Sequence, residues 1–118
     1  LQASASLPEV IAHLTADGVG ACWVARDDDP DQIHGLITDG DLRRALQNHG
    51  PTQWSELQAA DLMTADPITV ETDTLAVEAM ERMERNRRKA IGVLPVVDSE
   101  RRMQGLLRLH DLVQAGLA

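Results

Sequence analysis

The sequence predicts a mixed α+β fold built from two pseudo-symmetric β-α-β-β-α repeats, the first of which lacks its leading strand. One observation is a match between residues 35–46, GLITDGDLRRAL, and residues 105–116, GLLRLHDLVQAG. A second is the match between GACWVA at 20–25 and GVLPVV at 92–97. Repeats of this kind bury a core by packing on each other, so we expect the two to pack sheet to sheet about a pseudo-twofold axis.

The first repeat is predicted to open with a helix. Ser6 followed by Glu9 is a capping-box signature, and Val10, Ile11 and Leu14 then form an apolar stripe. Two short apolar strands and a second helix follow in each copy. The predicted strands are 21–25 and 34–38 in the first copy and 93–97 and 103–107 in the second, with the helices starting at Asp41 and Asp111.

The second repeat carries an additional leading piece, residues 61–70. Pro67 excludes a helix through that point, and Ile68, Thr69 and Val70 favour an extended strand. A helix is expected around residues 75–85. Because the chain starts at Leu1, the first copy has no such leading piece, and the sequence resembles part of a longer polypeptide. The predicted repeats are residues 1–55 and 56–118, with residues 51–60 as connector.

Composition limits the possible partners. The 118 residues carry a formal net charge of −8 and only two aromatic side chains, both Trp. The negative charge repels a phosphate backbone and an anionic membrane surface. Two aromatic side chains also provide few surfaces on which nucleic-acid bases can stack, so neither nucleic acid nor a membrane is an expected partner. The single cysteine, Cys22, fits a reducing compartment and predicts a cytoplasmic protein.

The pattern Gly-x-x-Thr-x-x-Asp at 35–41 ends a strand and starts a helix. Amides at a helix start attract anions, so Thr38 could contact a phosphate while Gly40 lets a ligand approach the backbone. Asp41 could accept hydrogen bonds from a ribose diol. The alternative is structural, because Thr followed by Asp three residues later is also an ordinary helix cap.

The second copy keeps the acid as Asp111 but has Arg108 in place of Thr38. A guanidinium there suits phosphate or carboxylate, or it is a solvated arginine at a strand end. Lys89, in the basic cluster 85–89, is the member nearest to where a ligand could lie, although the cluster also reads as a solvated turn. We expect no catalytic residue and no metal site, since no nucleophile meets a base and the four histidines lack ligand spacing.

Together these residues resemble a tandem pair of CBS domains (a Bateman module). The motifs that carry the resemblance are Met63-Thr64, Pro67-Ile-Thr-Val70, Leu94-Pro-Val-Val-Asp98 and the spacing of Gly105 to Asp111. Two phrases, residues 38–46 and 107–116, are similar to the C-terminal part of bacterial arabinose-5-phosphate isomerases of the KpsF/GutQ type. That family couples a catalytic sugar-isomerase (SIS) domain to a CBS pair and serves Kdo synthesis for lipopolysaccharide.

The resemblance implies a nucleotide ligand in a cleft between the copies. The family's motif Thr contacts phosphate and its motif Asp holds the ribose, which would be Thr38, Asp41 and Asp111 here. Base contacts would come from Ile68, Leu94 and Pro95. Arg108 departs from the usual Thr or Ser, so the second copy can bind a different anion or none.

Three functional hypotheses follow. The first is a regulatory module that senses a nucleotide or nucleotide sugar, such as CMP-Kdo, and signals to the SIS domain of the same chain, with no required cofactor. The second is a ligand-free assembly module, since the resemblance implies a homodimer of CBS pairs within a tetramer. The third is a CBS pair from another enzyme or from a transporter.

Overall fold

In the computed structural model, the chain forms two compact units, Leu1–Pro67 and Ile68–Ala118. The structure describes residues 1–16, 20–73, 78 and 92–108. The predicted helix around residues 75–85, Lys89 and Asp111 therefore lie outside the described residues, apart from Glu78. The fold is a mixed α+β fold, and the described residues of each unit form one three-stranded sheet.

The first unit opens with α1 (Leu7–Ala16), whose predicted cap is confirmed. The Glu9 amide donates to Ser6 Oγ at 3.4 Å, and the Ser6 hydroxyl donates to the Glu9 carboxylate at 3.3 Å. Val10 and Leu14 are buried whereas Ile11 is 40% exposed, so the apolar stripe is narrower than its composition suggests.

A β-hairpin follows, formed by β1 (Ala21–Ala25) and β2 (Ile33–Thr38). The predicted bounds of β1 are confirmed, and β2 starts one residue earlier than predicted. The helix α2 (Asp39–Asn48) then starts directly after β2. The prediction that this helix begins at Asp41 is wrong by two residues, because the helix is capped by Thr38 and Asp41 is its third residue.

The connector, taken from this point as residues 51–65 so that it includes the start of the predicted leading piece, is more structured than the sequence indicated. It holds a 3₁₀ helix (Pro51–Glu56), the short helix α3 (Ala59–Leu62) and the strand β3 (Thr64–Ala65), which pairs with β2. Three of its apolar side chains, Leu57, Ala59 and Leu62, belong to the core of the first unit. That core consists of Ala5, Leu7, Val10, Leu14, Cys22, Val24, Ile37, Ala45, Leu57, Ala59 and Leu62. The packing boundary thus lies at 67/68, whereas the division of the repeat at 55/56 stays a prediction.

In the second unit, β4 (Val70–Glu71) pairs in parallel with β5 (Val93–Val97), which pairs antiparallel with β6 (Met103–Arg108). In the first unit Leu1 lies beside β1, because its nitrogen donates to Trp23 O at 3.2 Å and its carbonyl accepts from Ala25 N at 2.8 Å. No helix within the described ranges has the length and apolar character needed to cross a membrane.

Candidate functional site

The site predicted at residues 35–41 lies where β2 runs directly into α2. Thr38 is the last residue of β2 and keeps an extended backbone, with φ −112° and ψ 169°. Its partner across the hairpin is Ala21. Because an extended residue is followed at once by helical ones, the Thr38 side chain lies over the first turn of α2, where helix amides lack intrahelical acceptors.

Asp41 is the center of this corner. It is the one buried polar or charged residue among those described, with 8% of its surface exposed. Its Oδ2 accepts a hydrogen bond from the Thr38 amide at 2.9 Å and another from the Thr38 hydroxyl at 3.1 Å. The Asp41 amide in turn donates to Thr38 Oγ1 at 3.3 Å. The structural reading of this motif as a capping box is therefore confirmed.

The second carboxylate oxygen of Asp41 is held by a residue that the sequence analysis did not select. Arg44 Nη2 donates to Asp41 Oδ1 at 2.6 Å, and the Arg44 side chain is 54% exposed. The same guanidinium also covers Gly40, because a Cβ built on Gly40 would lie 3.4 Å from Arg44 Nη1. The signal was present in the sequence, since residues three apart on a helix are neighbours.

The corner is fixed to the hairpin on its other side. Gly20 has a φ of +73°, a conformation that glycine adopts at little cost, and its carbonyl accepts from the Asp39 amide at 3.1 Å. A Cβ at Gly20 would lie 2.6 Å from Asp39 Oδ2. A backbone hydrogen bond thus holds the start of α2, next to Thr38 and Asp41, against the residue that precedes β1.

Three of the predicted residues of the second unit, Leu94, Pro95 and Arg108, lie on its sheet, and Ile68 precedes it. Arg108 ends β6, half-buried, and pairs with Val93. Leu94 and Pro95 are buried in β5, and Ile68, two residues before β4, is 40% exposed. The structure thus brings Thr38, Gly40 and Asp41 together, and it places the remaining described candidates on the second sheet or just before it.

Two other possible chemistries can be assessed from the described residues. Burial raises the pKa of the Cys22 thiol to about 11, so the thiol stays protonated near neutral pH and behaves as a small core residue. Within the described ranges, no group of three or more His, Cys, Asp or Glu side chains is placed to hold a metal ion. What the first corner offers is a hydroxyl, a buried carboxylate and a guanidinium.

Comparison with known proteins assigns the fold to a family. The sequence profile of the CBS domain matches residues 1–48 and 59–118, which is most of the chain. The chain belongs to the CBS domain family. In this CBS pair, the two matched segments correspond to the two copies of the repeat, and the unmatched residues between them contain the 3₁₀ helix.

Curated relatives connect this CBS pair to one kind of enzyme. It is 38% identical over 112 residues to the arabinose 5-phosphate isomerase KdsD of Pseudomonas aeruginosa, covering 95% of the chain. It is 34% identical over 111 residues to the arabinose 5-phosphate isomerase KpsF of Escherichia coli, covering 94% of the chain. The chain spans about a third of the length of these relatives, 32% in both cases.

Solved structures confirm the fold. A CBS domain protein from Pyrobaculum aerophilum, solved with AMP, has a TM-score of 0.83 at 24% identity and covers 99% of this chain and 88% of its own. The protein CBSX2, also solved with AMP, has a TM-score of 0.71 at 28% identity and covers 99% of this chain and 85% of its own. Both likenesses support the mixed fold predicted from the repeat.

Proposed function

We propose that this CBS pair is the regulatory ligand-binding part of an arabinose-5-phosphate isomerase in the cytoplasm. The isomerase assignment rests on the names of the curated relatives, of which the chain spans 32%. The isomerisation itself belongs to a catalytic SIS domain of the parent protein. The role of the CBS pair is to bind a nucleotide or nucleotide sugar, CMP-Kdo being the candidate that the pathway suggests, and to bias the state of that domain.

The observation that carries the proposal is the buried carboxylate of Asp41. Its Oδ2 is committed to the cap, whereas its Oδ1 is held by a side chain that is half exposed to solvent. An ionised carboxylate accepts hydrogen bonds from two neighbouring hydroxyls, which is the pattern that a ribose diol offers. Thr38 and Gly40, which has no side chain to keep a ligand from the backbone, both lie at the start of α2, where a phosphate is favoured.

Titration calorimetry tests this proposal. The 118-residue chain is titrated with AMP, CMP and CMP-Kdo, first as wild type and then as Asp41→Asn. We expect at least one ligand to bind the wild type, and Asp41→Asn to weaken it by about tenfold or more, because a hydrogen bond to a charged group contributes roughly 1.5–3 kcal/mol.

A matched control comes from α3. Asp61 is the third residue of that helix and accepts from the Gln58 amide at 2.9 Å, so it has the same capping role at an exposed position. Asp61→Asn should leave nucleotide affinity unchanged. Absence of heat and of any shift in melting temperature with all three ligands at millimolar concentration would contradict nucleotide sensing.

A second candidate function is assembly without a ligand, and one observation favours it. The described contacts of Asp41 are complete without any ligand, since both of its oxygens accept hydrogen bonds from Thr38 or Arg44. Removing the CBS pair from a full-length parent enzyme separates the two functions. Loss of the oligomer with no lost ligand response supports assembly, and loss of a nucleotide response with an intact oligomer supports sensing.

A further inference from the structure

Arg44 contacts the two parts of the corner that the proposed function needs, the Asp41 carboxylate and the open face of Gly40. Its Nη2 donates to Asp41 Oδ1, the carboxylate oxygen that the cap leaves available. Its Nη1 lies 3.4 Å from the position of a Cβ on Gly40, so it also covers the face through which a ligand would approach the backbone. A ribose at Asp41 must therefore displace the guanidinium.

The cost of that displacement depends on the charge of the ligand. The hydrogen bond of Arg44 to Asp41 is charge-assisted, a kind roughly twice as strong as a neutral one. A neutral diol replaces it with neutral donors and leaves the guanidinium without its partner. A ligand that also carries a phosphate supplies a new anionic partner, and a guanidinium can bind phosphate through two parallel N–H donors.

The local charges strengthen the argument. Asp39 and Asp41 both lie in the first turn of α2, and their carboxylates oppose a phosphate at Thr38. Arg44 follows Asp41 by one turn of the helix. In the free protein its guanidinium contacts Asp41, and after a ligand displaces the guanidinium it is still close enough to contact that ligand. Because its side chain is 54% exposed, moving it requires no repacking of the core.

We propose that Arg44 makes this corner select phosphorylated ribose over unphosphorylated ribose, by blocking Asp41 Oδ1 in the free protein and by binding the phosphate of the ligand that displaces it. This inference rests on the proposed nucleotide-binding function. It assigns a specificity-determining role to a residue that would otherwise be a surface partner of a helix cap.

The test is a ratio of affinities measured on the 118-residue chain. Calorimetry gives the dissociation constants of AMP and adenosine, and of CMP and cytidine, for wild type, Arg44→Gln and Arg43→Gln. Arg43 is an exposed arginine on the same helix, so Arg43→Gln removes the same charge one residue away. A substitution that merely loosens the fold weakens nucleotide and nucleoside alike and leaves the ratio unchanged.

We expect the wild type to bind the monophosphate at least ~10-fold more tightly than the nucleoside, a difference of ~1.4 kcal/mol. In Arg44→Gln the ratio should fall to about twofold or less, because the nucleotide loses a partner and the nucleoside loses a competitor. Arg43→Gln should keep the wild-type ratio. Arg44→Lys, which restores the charge but not the planar fork, should recover part of it.

Two results would overturn the inference, and they differ from each other. If Asp41→Asn loses nucleotide binding but Arg44→Gln keeps the wild-type ratio, the site is right and the role of Arg44 is wrong. If the wild type binds none of AMP, CMP and CMP-Kdo at millimolar concentration, the proposed function fails and this inference fails with it.

Discussion

The two hairpins of this CBS pair share one register but differ in what covers them. In both hairpins the register of strand pairing shifts by a β-bulge or similar irregularity at the same place, between Val24 and Ala25 in the first unit and between Val96 and Val97 in the second. Gly35 and Gly105 occupy equivalent positions, opposite Val24 and Val96. Yet Gly35 is buried and Gly105 is exposed.

The difference comes from the connector. In the first unit, β3 pairs with β2 at Gly35, and Met63 lies so close that a Cβ on Gly35 would be 2.7 Å from Met63 Cγ and 2.9 Å from Met63 Cβ. At Gly105 no described atom lies within 4 Å of such a Cβ. Among the described atoms, therefore, only one of these two equivalent glycines is under a packing constraint, and that one is Gly35.

The largest expected effect tests that constraint directly. Gly35→Ala should lower the free energy of unfolding by about 1–3 kcal/mol, because the added methyl group overpacks against Met63. Gly105→Ala is the matched control and should change it by less than about 0.5 kcal/mol. Urea denaturation measures both. Equal losses in the two variants would show that packing against the connector is not what distinguishes the two hairpins.

A double-mutant cycle sharpens the same comparison. Met63→Ala removes the atoms that crowd Gly35, so the cost of Gly35→Ala should be smaller in the Met63→Ala background than in the wild type. Additive effects would place the cause of the Gly35→Ala loss elsewhere than at Met63.

The next prediction concerns the hydroxyl that the first corner has and the second lacks. Thr38→Ala should cost about 1 kcal/mol, because the Asp41 amide loses its acceptor at the helix start. Thr38→Ser keeps the hydroxyl and should cost about half of that or less. Thermal unfolding of the two variants measures the difference. If Ser and Ala are equally destabilising, the methyl group of Thr38 matters rather than the cap.

A smaller effect is expected at the turn of the second hairpin. Arg101 has a φ of +65°, in the left-handed region that side chains adopt at a cost. Arg101→Gly should therefore raise the free energy of unfolding by about 0.5 kcal/mol. Arg102→Gly, next to it and not in that region, should lower it. A loss of stability in both variants, measured by urea denaturation, would contradict this account.

The smallest effect is a change of stability with pH that is caused by the Cys22 thiol. The second hairpin cannot show it, because Leu94 stands at the equivalent position. Burial raises the thiol pKa from 9.0 to about 11, so the unfolded chain loses this proton at a lower pH than the folded chain. Stability should therefore fall as the pH rises, by about 0.3 kcal/mol between pH ~8 and ~9. In Cys22→Ala this part of the pH dependence should disappear from denaturation curves.

Much of this fold followed from the repeat, because repeated apolar strands constrain each other. The bounds of β1 and β5 were predicted correctly, and the cap of α1 was visible in Ser6 and Glu9. The connector was underestimated since its helices are short, and Leu57, Ala59 and Leu62 are buried through packing against the rest of the first unit. Sequence periodicity does not report on such contacts.

In the candidate site, too, some residues were predictable from a local sequence signal and others depend on side-chain packing. Thr38 and Asp41 were predictable because a strand followed by a cap has a short local signature. For Arg44 the sequence carries only the helical spacing of three from Asp41, and the position of its guanidinium over Gly40 depends on a side-chain rotamer that this spacing does not determine. The predictions for Lys89 and Asp111 lie outside the described residues, so the second corner is known here only up to Arg108.

The shared shift in the two hairpins has a practical use. The turn of the first hairpin, Arg26–Gln32, is two residues longer than its counterpart Asp98–Arg102, yet both hairpins reach the same pairing beyond it. The two additional residues in the turn of the first hairpin therefore do not change how its strands pair. The acidic tip around Asp28 is thus a suitable place to insert a short epitope or a fluorophore attachment sequence without disturbing the pairing of β1 with β2.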